Sequence, residues 1–202
     1  MKAPIEALSG EETARLAKDI FYLNMAELRQ FCESHRIPYR IHAENAEGRI
    51  VQSADTDRKG VIIDRILHFL STGEIKSKTV FRRSVTAMDR PDHPLNASDP
   101  VLYRHYRNHD REILSLMKQL TGGKFRFGAV AQEVLRTCWT RELAPTYLEF
   151  AKLWEKAAAA HSRPNPEWAF LTDVAKGAAG PDWKKRRSQK ATAVVAILRK
   201  IR

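Results

Sequence analysis

Residues 24–37, Asn-Met-Ala-Glu-Leu-Arg-Gln-Phe-Cys-Glu-Ser-His-Arg-Ile, and residues 56–70, Thr-Asp-Arg-Lys-Gly-Val-Ile-Ile-Asp-Arg-Ile-Leu-His-Phe-Leu, decide the fold. Each carries a helix-start signal and an apolar stripe. In the first, Asn24 is a cap residue and Glu27 stands three positions on, the spacing of a capping box. Leu28, Phe31, Cys32 and His35 then recur at i, i+3, i+4 and i+7, which is one face of a helix. In the second, Thr56 or Asp57 is the expected cap, and Ile62, Ile63, Ile66, Leu67 and Leu70 form the stripe. Neither helix buries its stripe alone, so the two are expected to pack together or on a third partner.

Working outward, Ser9-Gly-Glu-Glu12 is a second capping box and predicts a lead helix over about Gly10 to Tyr22. Between the two central helices lie about twenty residues, Pro38 to Asp57. Glu47-Gly48 is a turn signal there between two β-favouring runs, so a small inserted hairpin is expected. Thr72-Gly73 ends the second helix. Val80 and Phe81 suit a short extended piece. Residues 89–100 hold three prolines and read as an exposed linker.

Beyond it, Asp99-Pro100 predicts a helix to about Leu120, with Ile113, Leu116, Met117 and Leu120 as its stripe. Lys124-Phe-Arg-Phe127 suits an extended link. Two helices follow, over about Gly128 to Arg141 and from Pro145. Their expected apolar positions are Val130, Val134, Leu135 and Cys138, then Tyr147, Leu148, Ala151, Leu153 and Trp154. Asn165-Pro166 opens a short helix to about Lys176. Asp182 to Arg202 reads as a final basic helix whose second half carries Ala191, Val194, Val195 and Leu198. The expected fold is mainly α. Its parts are a helical module over 1–76 with its lead helix, a linker over 77–97, a second helical module over 98–160, and a Pro-containing linker with the basic helix over 161–202.

The pair of central helices resembles the SAP domain, a helix–extended loop–helix module that often binds DNA. Leu28, Phe31 and Ile37 fit the first SAP helix and its exit. Lys59, Ile62, Ile63, Arg65 and Ile66 fit the basic-x-x-aliphatic-aliphatic-x-Arg-aliphatic order of the second. The wider run, with its aromatic lead-in and a "HFL-x-TGE" ending, is similar to a bacterial SAP-like family. The likeness spans about residues 13 to 76. A second, shorter likeness to the helical region of that family covers parts of 106–155 and implies no chemistry. The inserted twenty residues depart from the SAP pattern at the place where such domains approach DNA.

The formal net charge is +11, which suits a polyanionic partner. Residues 1–75 hold 10 Lys and Arg against 12 Asp and Glu; residues 76–202 hold 25 against 12. The excess therefore lies outside the SAP-like part. Lys184, Lys185, Arg186, Arg187 and Lys190 form the densest cluster, either a phosphate-contacting face or a solvated one. Arg58, Lys59, Gly60 and Arg65 are the basic and first-turn positions that the SAP resemblance implies for DNA. Backbone N–H groups in that turn favour an anion, and Gly60 allows close approach. The bland alternative for Arg65 is an ion pair or cover over apolar surface.

Other chemistry finds little footing. Cys32 and Cys138 stand in no ligand spacing, and Cys32 suits a buried small hydrophobe. His105 and His109 have the i, i+4 spacing that can hold zinc, with no evident third ligand. Thr121-Gly-Gly-Lys124 lacks the ending of a phosphate loop, and helix termination accounts for its glycines. No catalytic constellation follows from spacing. Among the tryptophans, Trp139 and Trp154 suit the core, and Trp183 beside the basic run could stack on a base. No apolar run suits a leader or a membrane span, so a cytoplasmic protein is expected, nucleoid-associated if bacterial. The sequence thus points to a non-enzymatic DNA-binding protein with no cofactor or metal. The alternative is a protein-interaction adaptor whose basic tail serves solubility or an acidic partner.

Overall fold

The two capping boxes set where the chain first becomes helical. In the computed structural model, which describes residues 3–86, 91–160 and 181–201, the Ser9 side chain accepts from the Glu12 amide and Glu12 accepts from the Ser9 amide. Helix α1 (Gly10–Asp19) starts there. A 3-10 turn, Ile20–Tyr22, follows. Asn24 and Glu27 make the same reciprocal bonds, at 2.9 and 2.6 Å, and open α2 (Met25–Ser34). For residues 181–184 and for Arg186 only the backbone is described.

The expected hairpin is present: strands β1 (Arg40–Glu44) and β2 (Ile50–Thr56) flank a turn at Asn45–Arg49. Gly48 has φ 75°, the left-handed conformation that the turn requires and that glycine adopts without strain. Helix α3 (Lys59–Thr72) follows and ends on Gly73, also left-handed at φ 76°. Its start differs from expectation. Thr56 belongs to β2 and Asp57 is buried, so the N-cap is Arg58, which offers no side-chain acceptor.

β3 (Val80–Phe81) pairs parallel to β1, His42 beside Val80 and Ala43 beside Phe81. The sheet order is therefore β2-β1-β3. Helix α4 is Arg111–Leu120, shorter than the expected span from Pro100. The Asp110 carboxylate accepts from the amides of Glu112 and Ile113 and is the true cap. Residues 101–110 instead form turns, with His109 at φ 69°. The i, i+4 helical relation of His105 and His109 thus does not exist. Helices α5 (Ala129–Thr140) and α6 (Tyr147–Ala160) follow, and α7 (Pro181–Leu198) is the terminal one. The expected short helix over 165–176 lies outside the described residues, as do residues 87–90 of the expected linker.

The chain is mainly helical with a small sheet, and it forms two compact units. The first comprises Met1–Arg40, Asp55–Lys78 and Pro164–Arg202; the second comprises Ile41–Ala54 and Thr79–Arg163. This departs from the expected division in two respects. The terminal helix belongs with α1, α2 and α3, and the hairpin residues 41–54 belong with α4, α5 and α6.

In the first unit, Leu16, Ile20 and Leu23 meet Leu28, Phe31 and Cys32 of α2 and Ile62, Ile63, Ile66 and Leu70 of α3. Ala191, Val194, Ile197, Leu198 and Ile201 complete that core. Each fully buried Leu or Ile side chain contributes roughly 1.5–3 kcal/mol. Burial pushes the Cys32 thiol up to about 12, which makes it an inert hydrophobe rather than a nucleophile.

The second unit is built on aromatic edges. Phe81 meets Tyr103 at 4.8 Å and Trp139 at 5.7 Å; Phe125 meets Trp154 at 5.1 Å. The Trp139 indole N–H donates to the Val101 carbonyl at 2.9 Å. Two expected core positions of α6, Leu148 and Leu153, are instead exposed, and Phe150 takes their place inside.

Candidate nucleic-acid interface

The basic side chains singled out from the sequence fall into three groups, and all belong to the first unit. Arg65 is the clearest departure. It points inward from the buried side of α3, with about 5% of its side chain exposed, and meets the Asp57 carboxylate at 2.5 Å. It also donates to the Pro38 carbonyl at 2.9 Å. Here the guanidinium ties the start of α3 to the exit of α2, a position from which it cannot reach a phosphate outside.

The second group converges on the turn Ile20–Tyr22. Lys59, the first residue of α3, donates its ammonium to the Phe21 carbonyl. Arg187 of α7 donates from Nε to the Tyr22 carbonyl at 3.1 Å and pairs with Glu27 at 2.7 Å. Lys190 pairs with Asp19 at 2.8 Å and sits 4.2 Å from the centre of the Tyr22 ring. The Asp19 hydrogen bond holds the Lys190 ammonium above its ordinary pKa. The first turn of α3 and the basic half of α7 therefore lie beside the same three-residue turn. Arg187 and Lys190 anchor α7 to the N-terminal segment, and Lys59 anchors the start of α3 to the same turn.

The third group faces outward or is described by backbone alone. Lys185 is exposed, and the side chains of Lys184 and Arg186 lie outside the described residues. Arg58 and Gly60 are half-buried at the start of α3. Arg58, as the N-cap, makes no side-chain cap hydrogen bond to the first turn. The electropositive helix end there favours an anion.

Sequence reasoning did not find the acidic and aromatic partners, Asp19, Tyr22 and Glu27. Glu27 was legible only as a capping residue, and it does both jobs through the same oxygen. At the other end of α7, Lys200 pairs with Glu12 at 2.5 Å. This contact, with the Ser9 amide, draws the Glu12 carboxyl down from 4.5 to about 2.

Sorting the chain by unit also moves the charge. The first unit holds 20 Lys and Arg against 13 Asp and Glu, the second 15 against 11. The terminal segment thus brings a net excess of cations to α2 and α3, which lack one on their own. On the same unit, α2 and the end of α7 border a groove of about 240 Å³ lined by Glu27, Phe31, His35, Val195, Leu198 and Ile201. Among the described residues no three His, Cys, Asp or Glu side chains are grouped to hold a metal ion, and no helix is long and apolar enough to cross a membrane. No family model, curated protein or solved structure matches the chain.

Proposed function

We propose that the chain is a non-enzymatic DNA-binding protein whose first unit is a SAP-like module completed by its own basic terminal helix. The observation that carries this reading is the convergence of Lys59 and Arg187 on the adjacent carbonyls of Phe21 and Tyr22. The mouth of α3 and the basic run of α7 are thereby neighbours. One phosphate backbone can follow both, with the first-turn amides near Gly60 and Arg58 at one place and Lys184, Lys185 and Arg186 at the other. Lys59, Arg187 and Lys190 orient the two helices, and Arg65 holds α3 from inside. Contacts of this kind read the backbone, so binding is weakly sequence-selective and sensitive to salt. If the protein is bacterial, a cytoplasmic, nucleoid-associated location fits.

The test is charge reversal that leaves the anchoring cations in place. The triple variant K184E/K185E/R186E is expected to retain duplex more weakly than the wild type in a gel shift at low salt while keeping its circular dichroism spectrum. Unchanged retention would reject the reading.

The adaptor reading is favoured by one observation, the partly apolar groove between α2 and α7. There a partner helix would lie along Phe31 and Leu198, and the same triple variant would retain its partner.

A further inference from the structure

Strand β2 is the outer strand of the sheet, and among the described residues no strand pairs with its far side. Such an edge presents backbone donors and acceptors to any passing strand. Proteins usually blunt it with lysine, proline or cover. The sequence of β2, Ile-Val-Gln-Ser-Ala-Asp-Thr, contains neither lysine nor proline. Its side chains are largely uncovered: Ile50 is 40% and Val51 39% exposed, and Gln52, Ala54 and Asp55 are exposed too.

The charges at its two ends say what fits there. Arg49 immediately precedes the strand and Asp55 stands near its end, three residues either side of Gln52. A parallel partner of the same sequence in matched register would set like charge against like. An antiparallel copy centred on Gln52 does the reverse. It sets Arg49 opposite Asp55 at both ends, Ile50 opposite Ala54, Val51 opposite Ser53, and Gln52 opposite itself. Opposite charges facing across an antiparallel pair stabilise it, and like charges destabilise it. Within the chain Arg49 pairs with Glu47 at 3.7 Å, both well exposed, and the exposed Asp55 also has an interaction of its own within the chain; exposed pairs compete weakly with a partner strand.

We propose that β2 is a self-association edge, on which a second copy of this chain adds its own β2 antiparallel across a two-fold axis, joining two three-stranded sheets into one of six strands. This is an isologous contact, so it closes at two copies. A single strand pair falls in the size class of weak, transient interfaces, under about 1,200 Å². The dimer therefore forms as concentration rises rather than being permanent. The inference stands apart from the DNA reading, since it uses neither α3 nor α7.

The experiment is sedimentation velocity on the full chain over a concentration series without DNA. The wild type is expected to pass from monomer to dimer. R49D and D55R are each expected to dimerise about tenfold more weakly, because each places two like charges face to face. Mixing the two variants is expected to restore dimer, since Asp now meets Arg at both ends. Circular dichroism of each variant checks that the fold is kept. A wild type that stays monomeric, single variants that dimerise as well as the wild type, or a mixture that fails to recover would each overturn the proposal.

Discussion

Arg65 and Asp57 show how one position can be read correctly in type and wrongly in direction. The pattern Lys-x-x-Ile-Ile-x-Arg-Ile marks Arg65 as a basic residue of α3 with an implied role toward DNA. Packing turns it inward, where both members of the pair keep about 5% exposure. An ion pair so placed costs desolvation and is repaid only by close geometry, but removing one member strands the other. Arg65→Ala is therefore expected to destabilise the protein by about 3–5 kcal/mol, measured by urea unfolding. A loss below about 1 kcal/mol, the range of surface pairs, would contradict the buried pairing.

Glu12 gives a second test at the same scale. Its folded pKa is depressed to about 2 from 4.5, by the Lys200 ammonium first and the Ser9 amide next. A depressed carboxyl contributes stability above its unfolded pKa, and that contribution is lost as pH falls through the folded value. Thermal midpoints of the wild type should drop between about pH 4.5 and 2, and Glu12→Gln should flatten that part of the curve. Identical curves would remove Glu12 from the account.

At the scale of elements, what was legible was local. Ser9 with Glu12 and Asn24 with Glu27 announce α1 and α2 because both partners of each box lie within four residues. Gly48 and Gly73 mark their turn and helix end for the same reason. The start of α4 misled because Pro100 resembles a first helical residue, whereas it sits in an antiparallel bridge opposite Thr146, the Val101 amide donating to the Pro145 carbonyl and the Tyr147 amide to the Asp99 carbonyl, and the helix waits for Asp110. The destination of α7 was not legible. Its apolar stripe announces burial but not against what, and its partners Asp19 and Glu27 lie some 160 to 170 residues earlier. Leu198→Ala, at a position only 5% exposed, should cost about 2–5 kcal/mol. Hydrogen exchange should rise in α1 and α2 as well as α7. A rise confined to α7 would mean that the helix is dispensable to the core.

At the scale of the whole molecule, the chain order conceals which segments share a unit. The first unit is assembled from three stretches and the second from two, and no periodicity in the sequence reports that. The candidate interface was legible as residue types: a helix mouth with Lys59 and Gly60, and a basic run from Lys184 to Lys190. Their adjacency was not, because it depends on the turn Ile20–Tyr22 receiving both. Nor was the division of labour between anchoring cations, such as Arg187, and outward ones, such as Lys185. The central claim is that this adjacency forms a track for a phosphate backbone. It is tested most directly by fluorescence anisotropy of labelled duplex DNA across a salt series, with the wild type beside K184E/K185E/R186E. The expected result is a linear fall of log affinity with log salt for the wild type, and a slope smaller by about 2–3 for the variant, matching the loss of three phosphate contacts. A wild type that shows no binding at low salt, or equal slopes for the two proteins, would contradict it.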